Sequence, residues 1–442
     1  MGLHFRTRSV YRRIKSGSQD GTLVSIRQGN ATWIVRADWR EIILNKDAPD
    51  WFQAGRQPKA HLVESGQQRA VWRIDRGDRQ IFAKVVHESG LRNRIKAWLL
   101  GTHGEREWRT ATLASAAGVP IPKVIGVGVR SITSADNVLL TEAFPAAVTL
   151  SVAWNRDVPP VGDKRRPNAV RRLISVVARL LATGHQRGLA HRDAHPNNIL
   201  IAANKQNVFE AVFVDTHGSR LGRGPVKEHL AVRNLAHLDQ YFHRLATRSE
   251  RLRFLKTYLS HLTPNRAHIA DRGARCRLVA QVATTRAHHA ARLAARRDRR
   301  LRKTGRYFAR LEMGGGWRAS VATKLERRHV FPEARVPDRT AAEWRELLAG
   351  SLSDAPGFDE TVCGHSDGPV RLERTILRGL AQRLRATITA SAHRRTFESC
   401  HQRRHRDLPA NLVLGYAEHR TGWLVDITIL LRPAERESRH NR

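Results

Sequence analysis

The most pointed chemical pattern in the chain is His191-Arg192-Asp193, with Asn198 five residues after the aspartate and Asp215 seventeen residues beyond Asn198. Transfer of a phosphoryl group to an alcohol needs a carboxylate to accept the hydroxyl proton, and oxygen ligands for Mg²⁺ nearby. Asp193 is the candidate base. Asn198 and Asp215 are the candidate ligands of the Mg²⁺ that accompanies ATP. Asp215 ends the apolar run Val212-Phe213-Val214 and precedes Thr216-His217-Gly218, so a strand would deliver its carboxylate to a crevice. Upstream, Lys84 lies in the strand-like run Gln80 to Val86, and Glu107 in the helical stretch Gly104-Glu105-Arg106-Glu107-Trp108. A lysine that neutralises the α- and β-phosphates, held by a helix glutamate, completes such an apparatus. Glu105 is nearly as good a partner for Lys84 as Glu107. The segment from Glu64 to Arg69 is the candidate phosphate-covering turn, and Gly66 is its one glycine; backbone cradling of phosphates there is thin.

Each residue alone has an ordinary structural explanation. Asp193 could be a turn residue, Lys84 an edge lysine that opposes aggregation, Glu107 the partner of a nearby arginine and Asp215 a cap. Their joint order is what points to one site. The triplet recurs at His405-Arg406-Asp407, but Leu412 stands where an asparagine would be needed, so no catalysis is assigned to it.

The elements that must position these groups follow from periodicity. Residues 1–30 are polar and read as an irregular lead-in. Strand-like runs start at Ala31, Arg69, Gln80, Val124 and Asn137, with a short helix near Trp39 and a longer one from Gly104 to Ala117 that Gly118 and Pro120 stop. Residues 31–145 therefore form a strand-rich lobe. Residues 146–290 form a helical lobe, with Val170, Leu173, Ile174, Val177, Leu180 and Leu181 at helical spacing. That is a two-lobed α+β architecture. Residues 291–311 form a basic linker or surface helix, since Arg296 to Lys303 sets six bases against one acid. Residues 312–442 echo the first lobe: Trp344-Arg345-Glu346-Leu347-Leu348 follows Trp39-Arg40-Glu41-Ile42-Ile43 in kind, and Asp407 to Gly415 resembles Gly118 to Gly126. They read as a second, incomplete and inactive small lobe.

The 442 residues are 41% hydrophobic, enough for more than one core. No apolar run reaches the length of a membrane-spanning helix, no secretory signal is expected, and Cys276, Cys363 and Cys400 lie in no metal-ligand spacing. A reducing cytosol fits. Lys and Arg number 78 against 40 Asp and Glu, a formal charge of +38. Such a field favours polyanions, whether nucleic acid, anionic lipid head groups or a phosphorylated glycolipid. The bases do not alternate with stacking aromatics, so no specific nucleic acid partner is expected.

At these residues the chain resembles the protein-kinase-like superfamily and, more narrowly, the bacterial lipopolysaccharide kinase (Kdo/WaaP) family. The likeness rests on Arg106-Glu107-Trp108-Arg109 followed by Ala117-Gly118-Val119-Pro120-Ile121-Pro122, and on His191-Arg192-Asp193 with Asn198. An Asp-Phe-Gly triplet is missing. The resemblance covers about residues 60–260. It implies a kinase-like fold and ATP- and Mg²⁺-dependent phosphorylation of a sugar hydroxyl, Kdo or heptose, of the lipopolysaccharide inner core. It further implies a glycolipid acceptor, a cytoplasmic location and attachment to the anionic inner-membrane surface. Lys84, Glu107, Gly66, Asp193, Asn198 and Asp215 would take the roles given above. The alternatives are another small-molecule or protein kinase of the same fold, or a non-catalytic relative that binds polyanions.

Overall fold

In the computed structural model, which describes residues 23–434 apart from 46–49, 58, 67, 78, 89, 131–135, 204–208, 263–271, 326–337, 353–359 and 364–368, the chain divides into two units, Met1–Arg286 and Ala287–Arg442. The first unit opens with an antiparallel sheet of seven strands. These are β1 (Leu23–Gln28), β2 (Ala31–Arg36), β3 (Ala60–Ser65), β4 (Arg69–Arg76), β5 (Arg79–Val86), β6 (Val124–Arg130) and β7 (Asn137–Glu142), in the order β1-β2-β6-β7-β5-β4-β3. Alternation along the strands covers both faces. Val35, Ile125, Val138 and Leu140 pack with Trp39, Ile43 and Trp51 on one side, while Ile34, Val127 and Leu139 pack with Trp108 on the other. Ile43 belongs to α1 (Arg40–Leu44), which is followed in the chain by α2 (Leu91–Leu100) and α3 (His103–Ala116), the helix that carries Trp108. A capping box between Thr102 and Glu105 starts α3. Gly118, with φ +79°, ends it in the left-handed conformation.

The second lobe of this unit is helical. It comprises α4 (Leu150–Asp157), α5 (Arg166–Gln186), α6 (Glu228–Phe242), α7 (Arg248–Ser260) and the first part of α8 (Arg272–Asp298), which runs past the boundary at Arg286, with short strands β8 (Val148–Thr149), β9 (Leu189–Ala190), β10 (Ile199–Ala203), β11 (Phe209–Phe213) and β12 (Arg220–Leu221). The six apolar positions expected on α5 are all buried in its core. Arg166 at the start of α5 locks α7 in place: its guanidinium makes two bonds to Glu250, at 2.7 and 3.0 Å, and two more to the carbonyls of Pro159 and Leu245.

The second unit holds a six-stranded antiparallel sheet: β13 (Phe308–Gly314), β14 (Trp317–Ala322), β15 (Glu360–Cys363), β16 (Val370–Ile376), β17 (Gly415–Thr421) and β18 (Leu424–Pro433). Its order is β13-β14-β17-β18-β16-β15. Three helices accompany it: α9 (Ala341–Leu352), α10 (Leu380–Thr389) and α11 (Ala392–His405).

Two boundaries differ from the sequence expectation. Within the lead-in expected to be irregular over 1–30, Leu23–Gln28 is a strand: Leu23 is buried, and a turn at Gly29 (φ +57°) folds β1 onto β2. Residues 1–22 lie outside the described residues, as does Gln67 of the candidate phosphate-covering turn. Of the basic linker or helix expected at 291–311, residues 291–298 are the end of α8, Leu301 is buried in the core of the second unit, and β13 begins at Phe308.

Arg166→Ala should destabilise the helical lobe by about 2–3 kcal/mol, because it removes four hydrogen bonds of a buried guanidinium and leaves the partly buried Glu250 carboxylate without its cation; urea denaturation followed by circular dichroism checks this.

Candidate active site

Lys84 faces the site because β5 alternates. Ile81, Ala83 and Val85 point into the sheet core, which sends Lys84 to the opposite face, toward α3. Its ammonium lies 2.7 Å from Glu107 Oε2 and 2.6 Å from Asp215 Oδ1. Of the two candidate glutamates, Glu107 is therefore the partner. Glu105 is spent on the helix cap, where Oε2 accepts from the Thr102 backbone N–H at 2.8 Å. Four residues separate His103 from Glu107 on α3, so both side chains lie on one face of the helix.

Burial alone would depress the Lys84 pKa, but the Glu107 and Asp215 carboxylates outweigh it and raise it. Burial likewise pushes Asp215 upward. The hydrogen bond from His217 Nδ1 at 2.6 Å and the Lys84 charge override that and hold the carboxyl far below the usual carboxylate range. Asp215 is thus held in its ionised form at neutral pH. A second cation serves the same carboxylate: Arg69 Nη1 is 3.3 Å from Asp215 Oδ2, and its Nη2 is 2.6 Å from Glu64. Sequence reasoning used Arg69 as the end of a turn and the start of a strand, with no role in the site. The signal available was its place on β4, beside the strand that carries Lys84.

The loop with Asp193 and Asn198 is tied to the Asp215 segment through backbone atoms. Asn198 accepts from the Val214 N–H at 3.0 Å through its carbonyl. His191 accepts at Nδ1 from the Asp193 N–H at 3.2 Å, so its Nε2–H must donate to the Val214 carbonyl at 3.0 Å. This pairing demands a neutral ring, and burial lowers the His191 pKa accordingly. The buried Asn234 amide on α6 clasps the same residue, donating to the His191 carbonyl at 2.6 Å and accepting its N–H at 3.1 Å. The Asp193 side chain is 68% exposed, open to a substrate hydroxyl. The Asn198 Nδ2 donates to the Asp193 carbonyl at 2.9 Å, which leaves the amide oxygen as the atom able to meet a cation. Gly66 sits in the β3–β4 turn, its N–H bonded to the Arg69 carbonyl at 2.8 Å.

Where the sequence has Thr216-His217, the turn after Asp215 is reshaped. Asp215 itself takes φ +58° and Gly218 φ +73°. A Cβ at Gly218 would meet the Arg192 side chain at 2.9 Å. His217 packs against His103 with ring centroids 4.0 Å apart and the planes tilted by 38°. Burial first, then the His217 and Lys84 charges, lower the His103 pKa to about 3. Neither histidine was singled out from the sequence.

These residues fit a magnesium–nucleotide complex: a fixed ammonium and guanidinium for phosphate oxygens, and an ionised carboxylate with a free amide oxygen for a hard cation. A cavity of about 880 Å³ elsewhere in the helical lobe is lined by apolar groups such as Leu173, Val177 and Phe242, and by none of the six candidate residues.

Residues 54–258 match the model of the lipopolysaccharide kinase (Kdo/WaaP) family. The lipopolysaccharide core heptose(I) kinase WaaP of Pseudomonas aeruginosa is 26% identical over 224 residues, 47% of this chain and 80% of the relative. Among solved structures, WaaP in complex with acyl carrier protein aligns over 58% of this chain and 98% of its own, at 20% identity and a TM-score of 0.41. The BubR1 kinase domain aligns over 52% and 71%, at 11% identity and a TM-score of 0.30.

Glu107→Ala should lower Mg²⁺-dependent phosphotransfer on the order of 10²-fold with the fold intact. Glu105→Ala should instead cost roughly 1 kcal/mol of stability and leave turnover near wild type. Paired kinetic and thermal-melt measurements separate the two.

Proposed function

We propose that this chain, whose residues 54–258 match the lipopolysaccharide kinase (Kdo/WaaP) family, transfers the γ-phosphate of ATP to a sugar hydroxyl, Kdo or heptose, of the lipopolysaccharide inner core. As an alcohol-acceptor phosphotransferase it needs a base, an anchored nucleotide and metal ligands. Asp193 takes the hydroxyl proton and orients the attacking oxygen. Lys84, steadied by Glu107, neutralises the α- and β-phosphates, with Arg69 adding a second positive charge where Gly66 offers little backbone. Asn198 and Asp215 hold the Mg²⁺. When bound, magnesium–ATP supplies the electrophilic phosphorus and a leaving group whose charge is already partly neutralised.

The observation that carries this reading is the convergence of Lys84, Glu107 and Asp215 within 2.7 Å contacts, with Val214 bonded to both His191 and Asn198. The acceptor class rests on the family and on the relative's name. The charge of +38 suits an anionic glycolipid, and among the described residues no helix is long and apolar enough to cross a membrane. We place the enzyme at the cytoplasmic face of the inner membrane, held peripherally by charge.

For residues 312–442 we propose a degenerate copy of the small lobe without a nucleotide site. Support comes from strand order and register. Gly126 pairs with Val35 and Leu140, and Gly415 pairs with Val321 and Leu431 in the same relation. Both α3 and α11 have 14 residues and a hydroxyl cap. Each is followed by a left-handed residue, Gly118 or Asp407, and then by a backbone bond to the last turn, Val119 to Ala114 and Leu408 to Arg403. Trp39 and Ile43 are matched by the buried Trp344 and Leu348. In that register Glu373 stands where Lys84 is, and Thr396 where Glu107 is, so the anchoring pair is gone.

Asp193→Ala should reduce sugar phosphorylation by about 10²–10⁴-fold while leaving Mg²⁺–ATP binding intact. The assay uses purified core glycolipid, labelled ATP and an equilibrium titration of nucleotide; unchanged turnover would remove Asp193 as the base. Photo-crosslinking with an azido-ATP on the full chain should label peptides of 54–258 alone. Labelling within 312–442 would sink the degenerate-copy reading.

A further inference from the structure

His103, Glu107 and His217 each turn one ligand atom toward the others, and these atoms all lie within 4.8 Å of one another. Two imidazoles and one carboxylate are the donor set of zinc-class sites and differ from the all-oxygen set that magnesium takes. The spacing is built in: His103 and Glu107 are four apart on α3, with His103 Nδ1 3.9 Å from Glu107 Oε2. His103 Nδ1 is buried and makes no hydrogen bond among the described residues. His217 already has Nδ1 on the Asp215 carboxylate, the outer-shell arrangement that orients a metal-binding imidazole and leaves its other nitrogen for the ion. With metal–ligand bonds of roughly 2.0–2.2 Å, tetrahedral donors stand about 3.4 Å apart; small side-chain rotations close the observed gaps.

We propose that His103, Glu107 and His217 form a binding site for a divalent transition cation of the zinc class, distinct from the magnesium ligands Asn198 and Asp215. Its occupancy has a direct consequence. Glu107 Oε2 is the same atom that holds Lys84 at 2.7 Å. A metal on that oxygen draws the carboxylate from the ammonium, loosens Lys84 and stops phosphotransfer. The inhibitory part rests on the kinase function proposed above; the binding part does not.

The test uses the full chain, titrated with Co²⁺ in excess Mg²⁺ and read by visible absorption, then back-titrated with Zn²⁺. Wild type should bind one equivalent in a tetrahedral spectrum that Zn²⁺ abolishes. His103→Ala should bind about 10–100-fold more weakly. In the phosphotransfer assay, Zn²⁺ should inhibit wild type at least tenfold more potently than His103→Ala, with activity in Mg²⁺ alone unchanged by the substitution. Identical cobalt spectra and zinc sensitivity in the two proteins would overturn the site. Full turnover with the cobalt site filled would overturn the coupling to Lys84. If no phosphotransfer is seen in any protein, the kinase reading fails, and the cobalt titration still decides the site by itself.

Discussion

One ammonium between two carboxylates organises this molecule. Lys84 comes from β5, Glu107 from α3 and Asp215 from the segment beyond β11, so a single cluster of charge joins the sheet, its helix and the helical lobe. Removing the ammonium from water is costly, and the raised Lys84 pKa shows that the two carboxylates more than offset that cost. The balance constrains everything around it. Deleting one carboxylate leaves a cation underpaired, and deleting the lysine leaves the buried Glu107 facing the half-buried Asp215 without a shared cation.

How far this was legible in the sequence depended on whether the signal was local. Strand alternation around Lys84 and the helix stop at Gly118 and Pro120 are set by neighbours, and they could be read directly. So could the order of Lys84, Glu107, Asp193, Asn198 and Asp215. The choice between Glu105 and Glu107 could not, because both fall on the same helix. Only the cap hydrogen bonds to Thr102 show which one is already engaged. Arg69 and Asn234 were invisible for a related reason. One is a common surface residue and the other a lone amide, and each acquires meaning from a partner 146 or 43 positions away. The basic run near residue 300 was legible as charge, and most of its bases are exposed, but charge composition says nothing of where the chain anchors. The burial of Leu301, one apolar side chain among six bases, decides where that segment goes.

On the proposed reading of residues 312–442 as a degenerate copy, the two units mark which features serve packing and which serve chemistry. Both retain the same strand order, the glycine on the central strand beside β14 or β2, and the buried tryptophan with an aliphatic residue four positions on. These features serve packing. At the positions of Lys84 and Glu107 the second unit has Glu373, ion-paired with Arg432 at 2.9 Å, and Thr396, bonded back to its own helix. Such residues satisfy themselves locally and ask nothing of a ligand.

The backbone at Asp215 has a corollary for substitution. At φ +58° only glycine, asparagine or aspartate sits without appreciable strain. Glutamate would preserve the charge but resist the conformation; asparagine and glycine would accept the conformation but surrender the charge. On the proposed role of Asp215 as a metal ligand, no other residue type supplies both the charge and the backbone conformation.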